Sequence, residues 1–382
     1  MPVQVRFGRG LLNSFEPTQP SVVLADPRAL PQAMATRLSA QWSAHLIEWV
    51  WQDKGECEIS QLSELAPKVW RALSRHSGSA LIAFGGGSSL DMAKILRWRI
   101  ATGTQAPSME TVWRAQGQSP QGELIRHRLL CWPSTAGTGS EVSASATLWD
   151  RSAAAPVKLA WQPINGFADE AWVDPDLTQS CPATLTRDCG LDALSHALES
   201  LWNVRSSVLS RLLAHRAIRL IIDHLPRLLD DLTDMAAREA LSEASVLAGM
   251  AMSETQTALA HALSYDLTLH EGMSHGSAVA VWLPYVAGLS CPSLFRAVAP
   301  VAGVLHPVTD RLLRAKQGLE VPLCIVHGAR DPIFDVRGVR STTALLQKLG
   351  YRVDYHELPD WAHAWTDDIN LRLLRPWFAA LT

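Results

Sequence analysis

ALIAFGGGSSLDMAKILRWR, residues 80–99, is the stretch that decides the fold. Ala80 to Phe84 are five apolar residues in a row and read as a buried strand. Gly85-Gly86-Gly87-Ser88-Ser89 then forms a small-residue turn, and LDMAKILRWR continues as a helix. Strand, glycine turn and helix in that order bring backbone N–H groups and the positive end of a helix to a phosphate. Glycines at Gly86 and Gly87, followed by Ser88, also remove bulk where a pyrophosphate would approach closely. The run is neither G-x-G-x-x-G nor G-x-x-x-x-G-K-[ST], so a plain tight turn before a helix is the competing reading. Asp91 is expected in the first helical turn, where a carboxylate complements the dipole.

The flanking segments repeat the pattern. SVVLA (21–25) is a short strand that ends at Asp26-Pro27, QLSELAPKVWRALSRH (61–76) is helical, and HRLLCW (127–132) is another strand. That strand leads into PSTAGTGSEVS (133–143), a second flexible, hydroxyl-rich segment holding Thr135 and Ser140. Two such segments between strands and helices favour a nucleotide site. Asp26 stands where a carboxylate could accept bonds from a ribose hydroxyl and repel a 2′-phosphate, favouring NAD(H) over NADP(H); a turn-forming Asp before Pro27 is the alternative. Residues 101–124 read as loop. From about 182 to 270 the apolar residues recur at three- and four-residue steps, so the chain becomes helical, with AAREALSEASVLAGMAMSETQTALAHAL (236–263) as one stretch. After 315 a strand, helix, strand, helix rhythm returns. The expected domains are an α/β unit over 1–178, an all-helical unit over 179–290 and an α/β segment over 291–382.

Composition narrows the partners. The 382 residues are 47% apolar and 19% charged, a globular balance. Lys plus Arg number 34 against 37 for Asp plus Glu, so nothing recommends a nucleic-acid partner. No uninterrupted run of apolar residues is long enough to span a bilayer, and MPVQVRFGRG lacks the apolar core of a signal peptide. Six scattered cysteines without C-x-x-C spacing fit a reduced, cytoplasmic protein rather than a disulfide scaffold. The fifteen tryptophans are spread throughout and read as packing.

The sharper chemical signal is a ligand set. Asp192 and His196 lie four apart on a strongly periodic helix and share a face. His261 and His275 are the later candidates, and together the four offer one carboxylate and three imidazoles, suited to Fe2+ or Zn2+. His196 and His261 read equally as ordinary helix-face histidines. His270, between the later two, is a candidate proton relay or a loop residue. His215 and His224 fall on another helix and read as surface.

GGGSSLDMAK (85–94), PSTAGTGSEVS (133–143), VDPDL (173–177), GLDALSHALES (190–200) and HGSAVAVWLP (275–284) resemble the signature segments of the iron-containing (group III) alcohol dehydrogenases, over residues 5–288. The resemblance implies a dehydroquinate synthase-like fold: an α/β nucleotide-binding domain followed by an all-helical metal-binding domain. It implies Gly86, Gly87 and Ser88 over the NAD(P) pyrophosphate, Thr135 and Ser140 beside the nicotinamide, and a metal on Asp192, His196, His261 and His275. The expected partners are a small aldehyde or alcohol and a second copy of the chain in a homodimer. ATLWD, LSHALESLWN and HALSYDLTLHEGMSHG are most similar to the subgroup acting on phosphonoacetaldehyde, giving 2-hydroxyethylphosphonate. Lys158, Arg28 and Arg187 are the cations available for such a dianion. Where many relatives carry a further histidine, four residues after His261, this chain has Tyr265.

CPSLFRAVAPVAGVL (291–305), PLCIVHGARDPIF (322–334) and LLQKLGYRVDYHELPDWAHAW (345–365) resemble instead the C-terminal part of an α/β-hydrolase of polyhydroxybutyrate-depolymerase or feruloyl-esterase type. Gly272-Met273-Ser274-His275-Gly276 then reads as a nucleophile elbow, with Asp331 as triad acid and His363 as base. Two further expectations follow: a serine esterase using Ser274, Asp331 and His363, or a fusion of two genes at that pentapeptide whose dehydrogenase half has lost activity.

Overall fold

Five-residue apolar runs become strands that are covered on both faces, the condition under which parallel sheets persist. The computed structural model of the chain describes residues 2–52, 57–100, 124–151, 157–161, 165–290, 321–331, 335–361 and 370–380. They form two compact units, one of residues 1–197 with 207–255, the other of residues 198–206 with 256–382.

The first unit holds β1 (Gln4–Phe7), α1 (Leu11–Ser14), β2 (Ser21–Ala25), α2 (Gln32–Gln41), β3 (Leu46–Trp51), α3 (Ile59–Leu73), β4 (Ala80–Gly85) and α4 (Gly87–Leu96). The short strands β5 (Trp98–Ile100) and β6 (Leu124–Arg126) pair antiparallel, and β7 (Arg128–Pro133) follows. β8 (Ala146–Asp150) and β9 (Val157–Trp161) form an antiparallel pair before β10 (Glu170–Val173). Six strands make one parallel sheet in the order β1-β10-β7-β4-β2-β3. Side chains alternate across it. Val22, Leu24, Leu81, Ala83, Leu129 and Cys131 pack with α3 and α4 on one face. Val23, Ala25, Ile82, Phe84, Leu130 and Trp132 meet Ala35, Leu38 and Trp42 on the other. The tryptophans here are packing, as expected: Trp132 stacks on Phe84 at 5.5 Å and on Trp172 at 5.1 Å.

The strand order reverses between β2 and β4, so a crevice opens beyond their carboxyl ends. Arg97, fully buried at the end of α4, donates to the carbonyls of His127 (2.8 Å) and Phe167 (2.6 Å) and pairs with Asp169. Burial pulls its pKa down to about 10, and the Asp169 charge opposes that fall.

α5 (Ala183–Trp202) starts in the first unit and ends in the second, while α6 (Val208–Asp230) and α7 (Met235–Thr255) form an antiparallel helical hairpin in the first. A capping box starts α6: Ser207 Oγ accepts from Ser210 N at 3.1 Å and Ser210 Oγ from Ser207 N at 2.9 Å. Buried Arg238 fastens α7 to the link between β10 and α5 by donating to the Thr178 and Cys181 carbonyls. In the second unit α8 (Leu259–His270) and α9 (His275–Ser290) pack through Ala260, Leu263, Leu267, Ala278, Val279 and Trp282, with Leu198 and Trp202 of α5. Beyond them lie β11 (Leu323–Gly328), α10 (Val336–Leu349), β12 (Val353–Leu358) and α11 (Arg375–Ala379).

Several expectations change. The periodic stretch 236–263 is two helices, because Gln256 turns the chain with a left-handed φ of 67°. Asp91 lies past the first turn of α4. The hydrolase-like segment is overturned. A nucleophile elbow needs a strand running into its serine, and Ser274 instead sits in the short link between helices α8 and α9. Among the described residues β11 and β12 pair only with each other, not within the multi-stranded sheet of a hydrolase. Residues 291–320 and His363 lie outside the described residues.

Candidate functional site

The glycine turn lies at the crevice. Gly86 is the N-cap of α4 and half-exposed, as are Gly87 and Ser88, and the first N–H groups of the helix have no intrahelical acceptor. A methyl group on Gly86 would come within 3.3 Å of Thr135, and one on Gly87 within 2.6 Å of Thr138. The two small-residue segments therefore face each other at contact distance. Asp91 joins them: it accepts from Ser140 Oγ at 2.6 Å and from Thr147 N at 2.8 Å. Lys94, fully buried, reaches Asp91 (3.3 Å), Ser143 Oγ (3.2 Å) and the Ser145 carbonyl (2.6 Å). The Ser140 hydroxyl thus braces the loop. Neither Asp91 nor Lys94 stood out in the sequence as more than helix residues. Glu141, next in the chain, is buried, and burial pushes its carboxyl up to about 7 against its own backbone hydrogen bond and the Lys94 charge.

Asp26 closes β2 beside that turn; a methyl on Gly85 would lie 3.5 Å from its Cβ. Its carboxylate is held by Arg28. Oδ1 accepts from the Arg28 backbone N (2.8 Å) and Nε (2.9 Å), and Oδ2 from Nη2 (2.5 Å).

The ligand candidates fall on either side of a unit boundary. In the first unit Asp192 and His196 sit one turn apart on α5, both buried, with Oδ1 and Nε2 3.7 Å apart. That separation is long for a hydrogen bond and natural for two atoms flanking one ion. Lys158, on β9, has its Nζ 5.6 Å from the Trp149 ring, and burial lowers its pKa to about 8 against the charges of Asp192 and Asp91. In the second unit His261 and His275 have ring centroids 5.5 Å apart, and Tyr265 lies over His275 at 6.5 Å. His270 is the last residue of α8.

The residue that the sequence reading missed is Glu199. It is wholly buried on α5 and accepts from His261 Nδ1 at 2.7 Å. It also accepts from the N–H groups of Ala258 and Ala260, both at 2.7 Å, and so caps α8, whose N-cap Ala258 has no side-chain bond of its own. Burial raises the Glu199 pKa, but the His261 bond and charge and the two N–H groups outweigh it and hold the carboxyl below its ordinary value. A carboxylate on Nδ1 fixes the tautomer that leaves Nε2 as a donor atom for a metal. Its signal was available: Glu199 stands seven residues after Asp192 and three after His196, on the same helix face. By donor type Asp192, His261 and His275 offer one carboxylate oxygen and two imidazole nitrogens, a set that suits iron or zinc.

A family model described as iron-containing alcohol dehydrogenase matches residues 2–175, and one described as Fe-containing alcohol dehydrogenase family, C-terminal, matches residues 186–315. A 1-propanol dehydrogenase of Salmonella typhimurium is 31% identical over 60% of this chain and 53% of its own length. A phosphonoacetaldehyde reductase of Streptomyces viridochromogenes is 34% identical over 56% of this chain and 53% of its own. The chain thus spans about half the length of the curated relatives it matches. The crystal structure of sulfoacetaldehyde reductase from Bifidobacterium kashiwanohense, in complex with NAD+, is alike in fold, with a TM-score of 0.65 and 23% identity over 100% of this chain and 89% of that one. The second family match runs unbroken through Gly272–Gly276 to residue 315, and the shared fold spans the chain. Both findings overturn the gene fusion and the Ser274, Asp331, His363 triad.

Proposed function

This chain belongs to the iron-containing alcohol dehydrogenase family, and we propose that it is a metal-dependent, NAD(P)-linked oxidoreductase interconverting a small aldehyde and its alcohol. The carrying observation is the face of α5 that presents Asp192 and His196 and, one turn later, the Glu199 carboxylate bonded to His261. In this reading Asp192, His196, His261 and His275 hold one divalent ion, iron first. Glu199 keeps the His261 ring in place, and the turn at Gly86, Gly87 and Ser88 receives the pyrophosphate of the dinucleotide. When bound, the ion supplies a Lewis acid for a carbonyl oxygen and the nicotinamide supplies the hydride. The chain's own work is orientation: Asp91 and Lys94 brace the loop carrying Thr135 and Ser140 against the glycine turn.

For the substrate we favour phosphonoacetaldehyde, reduced to 2-hydroxyethylphosphonate. Support comes from the subgroup segments and from the Streptomyces relative. Of the three cations named for the dianion, Arg28 is bonded to Asp26 and Arg187 to Asp188, whereas Lys158 is the one that feels the Asp192 charge. The test follows nicotinamide absorbance with iron-loaded protein on phosphonoacetaldehyde, acetaldehyde and succinic semialdehyde. Turnover of the phosphonate alone supports both reaction and substrate. Turnover of all three keeps the reaction and discards the substrate, and no turnover by folded, metal-loaded protein overturns both.

A further inference from the structure

We propose that Arg28 sets the cofactor preference, making the chain accept NADPH at least as well as NADH. This rests on the dinucleotide reading of the glycine turn and deepens it. Read alone, Asp26 at the end of β2 argues for NADH, because a bare carboxylate would accept from a ribose 2′-hydroxyl and repel a 2′-phosphate. The geometry changes both halves of that argument.

Both Asp26 oxygens already accept from Arg28, Oδ1 from Nε and the backbone N–H and Oδ2 from Nη2. A ribose hydroxyl therefore competes with a charge-assisted fork that loses little by staying closed. The pair is also neutral as a whole, so the repulsion expected of Asp26 is cancelled at its source. Asp26 is nearly enclosed, with 11% of its side chain exposed, while 65% of the Arg28 side chain is exposed. The group met first from solvent is a guanidinium, the side chain whose planar fork matches phosphate oxygens. Its place is right for an adenosine ribose. Asp26 adjoins Gly85, and β2 and β4, which bear Asp26 and the glycine turn at their carboxyl ends, are paired neighbours in register from Ser21↔Ala80 to Ala25↔Phe84.

The test measures binding directly, by calorimetric titration of NADPH and NADH into the full-length protein. Wild type is expected to bind NADPH with a Kd equal to or below that of NADH. Arg28→Met removes the charge from an exposed side chain and should weaken NADPH by about tenfold or more, the worth of one charge-assisted bond. NADH should hold or tighten, since the variant leaves Asp26 open to the ribose hydroxyl. Arg28→Lys should recover part of the NADPH affinity. NADH binding with no NADPH binding, or equal losses for both dinucleotides in Arg28→Met, overturns the proposal while leaving the dinucleotide site intact. Failure of folded wild type to bind either one overturns the site and the proposal together.

Discussion

Glu199 carries two duties with one carboxylate: it accepts from the His261 ring and from the N–H groups that begin α8. Glu199→Gln keeps the size and one acceptor but donates where His261 also donates, so the ring loses its fixed tautomer. Metal affinity should fall by about 10- to 100-fold, read by competition with a chelator. An unchanged affinity would leave Glu199 as a helix cap only. The sequence displayed Asp192 and His196 because a carboxylate and an imidazole four apart share one helix face, whereas Glu199, on that same face, reads as any helix glutamate until its burial is known. Glu141 was hidden for the same reason. Its folded pKa of about 7 lies above the ordinary 4.5. The folded carboxyl keeps a proton that the unfolded one gives up, so stability falls as pH rises from about 4.5 to 7 and the loss is complete above that. Glu141→Gln should therefore gain on wild type by about 2 to 3 kcal/mol between pH 4 and pH 8, measured by urea unfolding. A constant difference across that range would place the group outside a desolvated pocket.

At the level of elements, Gly139 and Gly249 show what packing demands and periodicity conceals. The turn of residues 137–140 meets α7 so closely that a methyl on Gly249 would lie 2.7 Å from Gly139 Cα, a backbone atom that cannot swing aside. Gly139 also has a φ of 60°, which other residues adopt at a cost. Alanine is the better helix former by about 1 kcal/mol, so Gly249→Ala in an open helix would stabilise. Here it should destabilise by about 1 to 3 kcal/mol in denaturant unfolding, through overpacking. A gain would mean that the two backbones stand apart. Strand–turn–helix at 80–96 was legible because its apolar run and glycines are local signals. The break at Gln256 was not, because the periodic pattern continues across it and its cause, the Glu199 cap on α8, comes from a helix some sixty residues earlier.

Across the whole molecule, the misreading of the last hundred residues has a clear source. A strand–helix–strand rhythm and a G-x-S-x-G string suggested a hydrolase, but short strings carry no information on what precedes them in space. Ser274 between two helices has no elbow to stand on. Ser274→Ala should leave any p-nitrophenyl ester cleavage at the wild-type rate; a large drop would restore the serine as nucleophile. Bound metal should raise the melting temperature by a few degrees at saturating concentration, and chelation should reverse it, as expected of a ligand taken up by the folded state alone. The sheet order has a consequence for the birth of the protein. Among the described residues β1 borders only β10, more than 160 residues later in the chain, and β10 in turn closes the edge of β7. On a ribosome adding about 5 to 20 residues per second, β1 waits roughly ten to thirty seconds for its partner. For the last part of it, the roughly two to eight seconds that separate β7 from β10 at that rate, the nascent sheet presents the open edge of β7, and this is the window in which a chaperone has most to protect.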